Sequence, residues 1–227
     1  NSGEHLQDAL ESAYSNESIN STTVLCRSNK RANLYNQQIR AKIKWQENEI
    51  SAGDILMVVR NNYYWIDDNS EIGFIANGDI VEVLKIRETI ERYGFRFARA
   101  SIQLKDYPNE KALDVILLLD TLSSESPAMT YNQYQKLYKE VSLDYKGEKE
   151  INKKIKEDQF FNALQIKFAY AITCHKSQGG QWENVFIDLG YFKEDMLDKS
   201  YLRWLYTAIT RSSKKIYLVN FPEKFFK

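Results

Sequence analysis

The sequence predicts an α/β protein in which an open, helix-flanked parallel sheet is interrupted by a small antiparallel barrel. Three observations predict it. Short apolar and β-branched runs at 22–26, 168–174 and 185–189 are bordered by polar or glycine-rich loops, as buried strands of an α/β sheet are. Between the first two runs, five strand-like stretches separated by Asn-, Asp- and Gly-rich turns fill about seventy residues, the pattern of a small barrel. Composition supplies the core: 43% of the 227 residues are hydrophobic and only three are proline.

The first strand, 22–26, leads into a helix that Ser28 or Asn29 caps, with Ala32, Tyr35 or Asn36, and Ile39 forming its inward stripe. From about Ser51 the character changes, and 53–60, 63–66, 73–84, 95–104 and 113–119 read as the five barrel strands. Tyr63, Tyr64 and Trp65 could stack unpaired bases, although period-two alternation favours core packing for at least one set. The stretch 114–120 has the outline of a Walker B strand. It lacks the second acidic residue and the preceding phosphate loop, so it reads as the closing strand. Helical spacing returns from Met129 to about Gln159 through Tyr131, Tyr134, Leu137, Tyr138 and Val141. The Lys/Glu-rich stretch after Gly147 reads as a solvated helix joining the barrel back to the sheet.

The chemistry concentrates in the last quarter of the chain. The run 168–174 is a strand entering a loop. If the extended backbone persists, Thr173 and His175 leave one face at the sheet's end, where an open α/β sheet has its ligand crevice. A hydroxyl and an imidazole there can both bond a phosphate oxygen. Gly179 and Gly180 permit positive φ or close approach, so their amides could cradle an anion. Ser200 is a reasonable cap for a helix whose Leu202, Leu205, Tyr206 and Ile209 form a face expected to pack on the sheet. Arg203, Thr207 and Arg211 share another stripe. Arg211 could offer its planar fork to a phosphate, or it could answer the negative end of its own helix and bond a carboxylate.

Thr173-Cys174-His175-Lys176-Ser177-Gln178-Gly179, followed by Leu205-Tyr206-Thr207-Ala208-Ile209-Thr210-Arg211, resembles motifs V and VI of superfamily 1 helicases, specifically the RecD-like branch typified by the exodeoxyribonuclease V alpha chain. The segment 23–40 resembles the first strand and helix of the second RecA-like motor domain of those enzymes. The resemblance implies a RecA-like sheet of the P-loop NTPase type over 1–44 and 126–227, with a Src-homology-3-like barrel inserted over 45–125. It implies that Arg211 is an arginine finger. Gln181 would approach the nucleotide ribose, where many relatives carry Glu, and Gly179 would lie at the nucleotide. Thr173, His175, Lys176, Gln178, Arg27 and Asn29 would contact DNA. The implied ligands are ATP with Mg²⁺, held mainly by a first motor domain of the same protein, and single-stranded DNA or a single/double-strand junction. The implied activity is 5′ to 3′ translocation and unwinding, in the setting of DNA repair and recombination.

Several classes are excluded or made remote. No Gly-x-x-x-x-Gly-Lys-Ser/Thr occurs, so this chain alone is not expected to hydrolyse ATP. Asn1 is not an initiator Met, which suggests a piece of a longer protein. Cys26 and Cys174 have no C-x-x-C spacing, which rules against zinc. They read as small buried hydrophobes that could still meet thiol reagents. The formal net charge is zero, so strand contact must be local, and Lys30 and Arg31 read as solvated. No run is long enough to span a bilayer and no signal segment opens the chain, which points to the cytoplasm, bacterial cytoplasm or nucleoid by the resemblance. Two rival readings are a non-motor single-strand-binding module that uses the barrel with Thr173 and His175, and a partner-docking domain in which Arg211 and the glycines only serve folding.

Overall fold

The computed structural model describes residues 3–16, 21–67, 70, 72–192 and 196–226; Asn1 and Ser2 lie outside them. In chain order the elements are α1 (Gly3–Asn16), β1 (Thr22–Cys26), α2 (Asn29–Gln38), β2 (Ile55–Val58), β3 (Ile80–Arg92), β4 (Phe95–Leu104), β5 (Leu113–Leu118), α3 (Tyr131–Asp144), α4 (Ile151–Lys156), β6 (Leu164–Phe168), β7 (Ala171–Thr173), β8 (Trp182–Asp188), α5 (Lys199–Ile209) and β9 (Ser212–Val219). They form two compact units, 1–47 with 169–227, and 48–168.

The first unit is a four-stranded sheet in the order β7-β1-β8-β9, with every adjacent pair parallel. β1 has all five residues buried, which explains its unbroken β-branched and apolar sequence: a parallel strand covered on both faces has no solvent side to alternate with. Ser28 caps α2, its hydroxyl accepting the Arg31 amide at 3.2 Å. Ala32, Asn36 and Ile39 are buried as expected, with Ile39 opening a π-helical turn over Ile39–Ile43.

Asn36 resolves a polar problem at the sheet's edge. The Val24 amide bonds the Tyr170 carbonyl, so by ladder alternation Ala171 turns its own N–H and C=O away from β1. The Asn36 carboxamide meets both, donating to the Ala171 carbonyl at 2.8 Å and accepting the Ala171 amide at 2.8 Å. One buried side chain thus stands in for a missing strand.

The second unit is a closed barrel in the order β2-β3-β4-β5-β6, with β6 pairing back to β2. Three expectations change here. The stretch 63–66 is no strand: Asn62 makes a lone bridge to Ile75, and its side-chain oxygen accepts the Tyr64 and Trp65 amides, turning the chain. The closing strand is β6 rather than 114–120, and the run 168–174 divides, Phe168 ending β6 and Ala171 opening β7.

β6 lies parallel to β5, so the barrel is not wholly antiparallel. A parallel neighbour needs a crossover of a dozen or more residues. α3 and α4 supply it. Leu137, Val141 and Ile155 of these helices pack with Phe95, Phe97, Ile116 and Leu118 of the strands, and the Thr130–Gln133 capping box starts α3. The helices therefore belong to the barrel unit. The expected boundaries at 44/45 and 125/126 fall instead at 47/48 and 168/169.

α5 also departs from expectation. Its cap is Asp198, whose carboxylate accepts the Tyr201 amide at 2.7 Å, not Ser200. Tyr201 and Ala208 are buried, whereas Leu202 and Tyr206 are 61% and 72% exposed and Ile209 is exposed with them. Helical period locates an apolar stripe; the cap and packing decided which stripe faces inward.

Replacing Asn36 with Leu leaves two buried backbone groups of Ala171 unpaired. The expected cost is about 2–4 kcal/mol, read as a lower denaturation midpoint at unchanged m-value.

Candidate functional site at the two edges of the sheet

At the carboxyl edge, the parallel register sets Cys26 opposite Thr173, so the residues after β1 and β7 emerge side by side. This brings together Arg27 and Asn29 with Thr173, His175 and Lys176. The extended backbone stops at Thr173, and Cys174–Ser177 form a 3₁₀ turn held by the Ser177 hydroxyl donating to the Cys174 carbonyl at 2.7 Å. Thr173 and His175 therefore do not share a strand face; they are neighbours across a turn. His175 is exposed, while Thr173, Lys176 and Asn29 are half-buried, and burial lowers the Lys176 pKa. The Arg27 guanidinium lies 5.9 Å from the Tyr201 ring centre and 5.5 Å from that of Trp204. Beneath it the Tyr201 hydroxyl and Trp204 indole N–H are buried without hydrogen-bond partners among the described residues.

The sequence reading missed the best-buried charge at this edge. Asp188, closing β8, is fully buried. It accepts Arg31 Nε at 2.5 Å and Nη2 at 3.4 Å, Asn220 Nδ2 at 2.5 Å and the Gly190 amide at 3.3 Å. Arg31 is thus an ion-pair partner rather than a solvated side chain, and its hydrogen bond to Asp188 raises its pKa. The available signal was a lone carboxylate ending an apolar strand, which demands compensation. A cleft of about 380 Å³ lies at the ends of β1 and β8, lined by Arg27, Ser28, Lys30, Arg31, Gly190 and Tyr191 among others.

The remaining candidates lie at the opposite edge. β8 runs parallel to β1, with Thr22 opposite Asn184, so Trp182 begins β8 at the amino edge. Six residues of strand rise separate the levels of Thr173 and Trp182, about 20 Å at 3.3 Å per residue. The segment 174–181 traverses that height beside α5, its Cys174 thiol meeting the Trp204 carbonyl at 3.5 Å.

Arg211, just after α5, donates from Nε to the Thr207 carbonyl at 3.2 Å, from Nη1 to the Gly180 carbonyl at 3.2 Å and from Nη2 to the Thr210 hydroxyl at 3.1 Å. Its backbone carbonyl accepts the Trp182 amide at 2.9 Å. The side chain does answer its helix end, and among the described residues its acceptors are carbonyls and a hydroxyl, with no carboxylate.

Gly180 spends its amide on the Ser177 carbonyl at 3.0 Å, so that amide is not free to cradle an anion. Its role is steric, because a Cβ there would lie 2.4 Å from the Trp182 ring. Gly179 has φ +87 and open space around it. Gln178, Gly179 and Gln181 are exposed. The structure thus gathers Gly179, Gly180, Gln181 and Arg211 at the amino edge, the DNA candidates Arg27, Asn29, Thr173, His175 and Lys176 at the carboxyl edge, and Gln178 on the segment between.

Cys26 and Cys174 are buried free thiols. Burial is the main cause raising both pKa values, aided at Cys26 by the nearby Asp188 carboxylate and opposed at Cys174 by a Ser177 hydrogen bond. Ready reaction with thiol reagents is therefore not expected of the folded protein. Among the described residues, no group of three or more His, Cys, Asp or Glu is placed to hold a metal, and no helix is long and apolar enough to cross a membrane.

Residues 168–219 match the family described as UvrD-like helicase C-terminal domain. An 89-residue stretch is 34% identical to uncharacterized protein MJ1519 of Methanocaldococcus jannaschii, covering 39% of this chain and 7% of that protein. Among solved structures, the chain is similar to Pif1 helicase from Candida albicans at 12% identity and TM-score 0.48, covering 98% of this chain and 50% of that one. It is similar at 12% identity and TM-score 0.45 to Bacteroides Pif1 helicase solved with ADP-AlF3 and ssDNA, covering 100% and 49%. The chain spans about half the length of these helicases.

Two outcomes are expected. Asp188→Ala leaves the half-exposed Arg31 guanidinium to solvent and the Asn220 amide without its acceptor, and costs about 1–3 kcal/mol by equilibrium unfolding. Because both thiols stay protonated well above neutral pH, Ellman's reagent at pH 8 labels neither cysteine until denaturant unfolds the protein.

Proposed function

We propose that this chain is the C-terminal motor half of a superfamily 1 ATP-dependent DNA helicase of RecD-like type. On this reading the carboxyl edge grips single-stranded DNA through Thr173, His175, Lys176, Arg27 and Asn29, with Gln178 on the connecting segment. The amino edge offers Arg211 as an arginine finger to a nucleotide held mainly by a partner motor domain, with Gln181 toward its ribose and Gly179 beside it. The observation that carries the reading is the state of Arg211. A half-buried guanidinium whose partners among the described residues are two carbonyls and a hydroxyl keeps its charge available to an incoming phosphate, and those bonds fix its position.

The donor set at this edge, a guanidinium and a carboxamide, suits phosphate and hydroxyl oxygens. Among the described residues no group of three or more His, Cys, Asp or Glu gathers at this edge, so on this reading Mg²⁺ would be held mainly by the other domain. ATP supplies the free energy of closure and release between the two motor domains. Within this chain, the segment 174–181 joins the two edges directly, through the Ser177 turn at one end and the Gly180–Arg211 bond at the other. The family match over 168–219 includes both ends of that segment and Arg211, which supports the helicase class. The 5′ to 3′ direction and a repair or recombination setting follow only from the RecD-like motif strings.

In the full-length protein, Arg211→Ala is expected to lower the DNA-stimulated kcat for ATP hydrolysis about 10³-fold or more while changing KM for ATP only a few-fold. Arg211→Lys, which keeps the charge and loses the fork, should recover little of it. Survival of hydrolysis near the unsubstituted rate in Arg211→Ala would remove the finger assignment.

A further inference from the structure

The barrel unit carries a second surface that the sheet-edge reading does not use. A groove of about 330 Å³ opens between the loop 60–64, α3 and the segment that leads into β6; Arg60, Tyr63, Tyr64, Tyr134, Lys156 and Phe161 are among its walls. This lies within the roughly 300–1,000 Å³ of ligand sites. Its polar chemistry is one-sided: the walls contain two cations and no carboxylate. Two acids lie beside this region near Tyr64, Asp158 and the exposed Glu157; Asp158 is turned to its own turn, accepting the Phe160 and Phe161 amides at 2.8 and 2.9 Å and the Tyr145 hydroxyl at 2.9 Å.

Tyr63 and Tyr64 stand open at the groove, while Tyr134 and Phe161 are half-buried and pack on one another. Tyr63 is 69% exposed and lies stacked on Phe74, itself exposed, with ring centres 4.8 Å apart and planes 25° apart. The Arg60 guanidinium lies 4.9 Å from the centre of the Tyr134 ring. The loop that presents them is fixed beforehand: Asn62 Nδ2 and Trp65 Nε1 both donate to the Asn162 carbonyl at 2.8 Å. Fixing a loop in advance lowers the ordering cost of binding.

We propose that this groove binds unpaired nucleotides of a single strand, whose bases stack on Tyr63 and the neighbouring rings while Arg60 and Lys156 meet the phosphates. A proline-rich peptide is the other occupant that aromatic grooves take. Two features favour the strand. The Trp65 indole N–H and the Asn62 amide, which a peptide carbonyl would use, are already spent on Asn162, whereas stacking needs only open ring faces. Two cations also match a polyanion and do nothing for a neutral peptide. The proposal rests on the single-strand reading of the protein and adds a contact region separate in sequence from the residues named there.

The test is fluorescence-anisotropy binding of the full chain to an oligo-dT and to an abasic oligonucleotide of equal length. Tyr63→Ala is expected to weaken oligo-dT binding roughly ten-fold or more, to leave abasic binding within about two-fold, and to be restored by Tyr63→Phe. Arg60→Ala should weaken both and flatten the salt dependence. If the unsubstituted chain binds oligo-dT and Tyr63→Ala binds it equally well, the groove assignment falls while the motor reading stands. If the unsubstituted chain binds no strand, the groove assignment falls, and the motor reading is decided by Arg211→Ala in the full-length protein. Tighter binding of a polyproline peptide, abolished by Tyr63→Ala, would overturn the strand in favour of a peptide.

Discussion

The sheet unit depends on one constraint: β1 must be paired on both sides by strands that arrive only after the whole barrel has been traversed. Val24 stands opposite Ala171 on one flank and Phe186 on the other. No local hairpin can make such parallel contacts, and closing so long a loop costs entropy before any pairing offsets it. The buried polar bonds obey the same division. Tyr14 donates to the Tyr170 carbonyl at 2.7 Å, Asn36 brackets Ala171, and Arg31 reaches Asp188. Each joins the early part of the chain to the late part. β1 therefore gains its two strand neighbours, and these polar groups their partners, together.

That pairing also separates the chemistry. Because β7, β1 and β8 all run one way, the end of β7 and the start of β8 must lie at opposite edges, and eight residues have to cross between them. The crossing segment is bonded to itself through Ser177 and Gly180 and to the end of α5 through Arg211. It is a tied link rather than a slack loop. Gly180 is required where the Trp182 ring leaves no room for a Cβ, and Gly179 where the backbone takes positive φ.

Much of this was legible beforehand. The first strand and its Ser28-capped helix, the presence of a barrel, and the burial of two scattered cysteines all follow from residue type at fixed spacing. The failures are equally specific. Tyr63–Trp65 has the composition of a strand, but Asn62 takes its amides into a turn. β6 and β7 touch in sequence and read as one run, although they pair in different sheets. The α5 stripe of Leu202, Tyr206 and Ile209 has correct periodicity and the opposite orientation from that expected. Arg31 resembled any surface cation until Asp188 was brought beside it.

By itself the sequence determined most of the segments that extend or coil, which glycines and hydroxyls are present, and the helicase-like motif strings at 173–179 and 205–211. Those are local properties, set by side-chain periodicity, capping and steric freedom. Tertiary structure alone decided that β6 closes the barrel beside β5, that Asp188 receives Arg31, and that Thr173 and Arg211 sit at opposite edges of one sheet. The reason is that strand partner and direction are fixed by long-range hydrogen bonding and burial, and a strand's own residues carry no record of which neighbour they will meet.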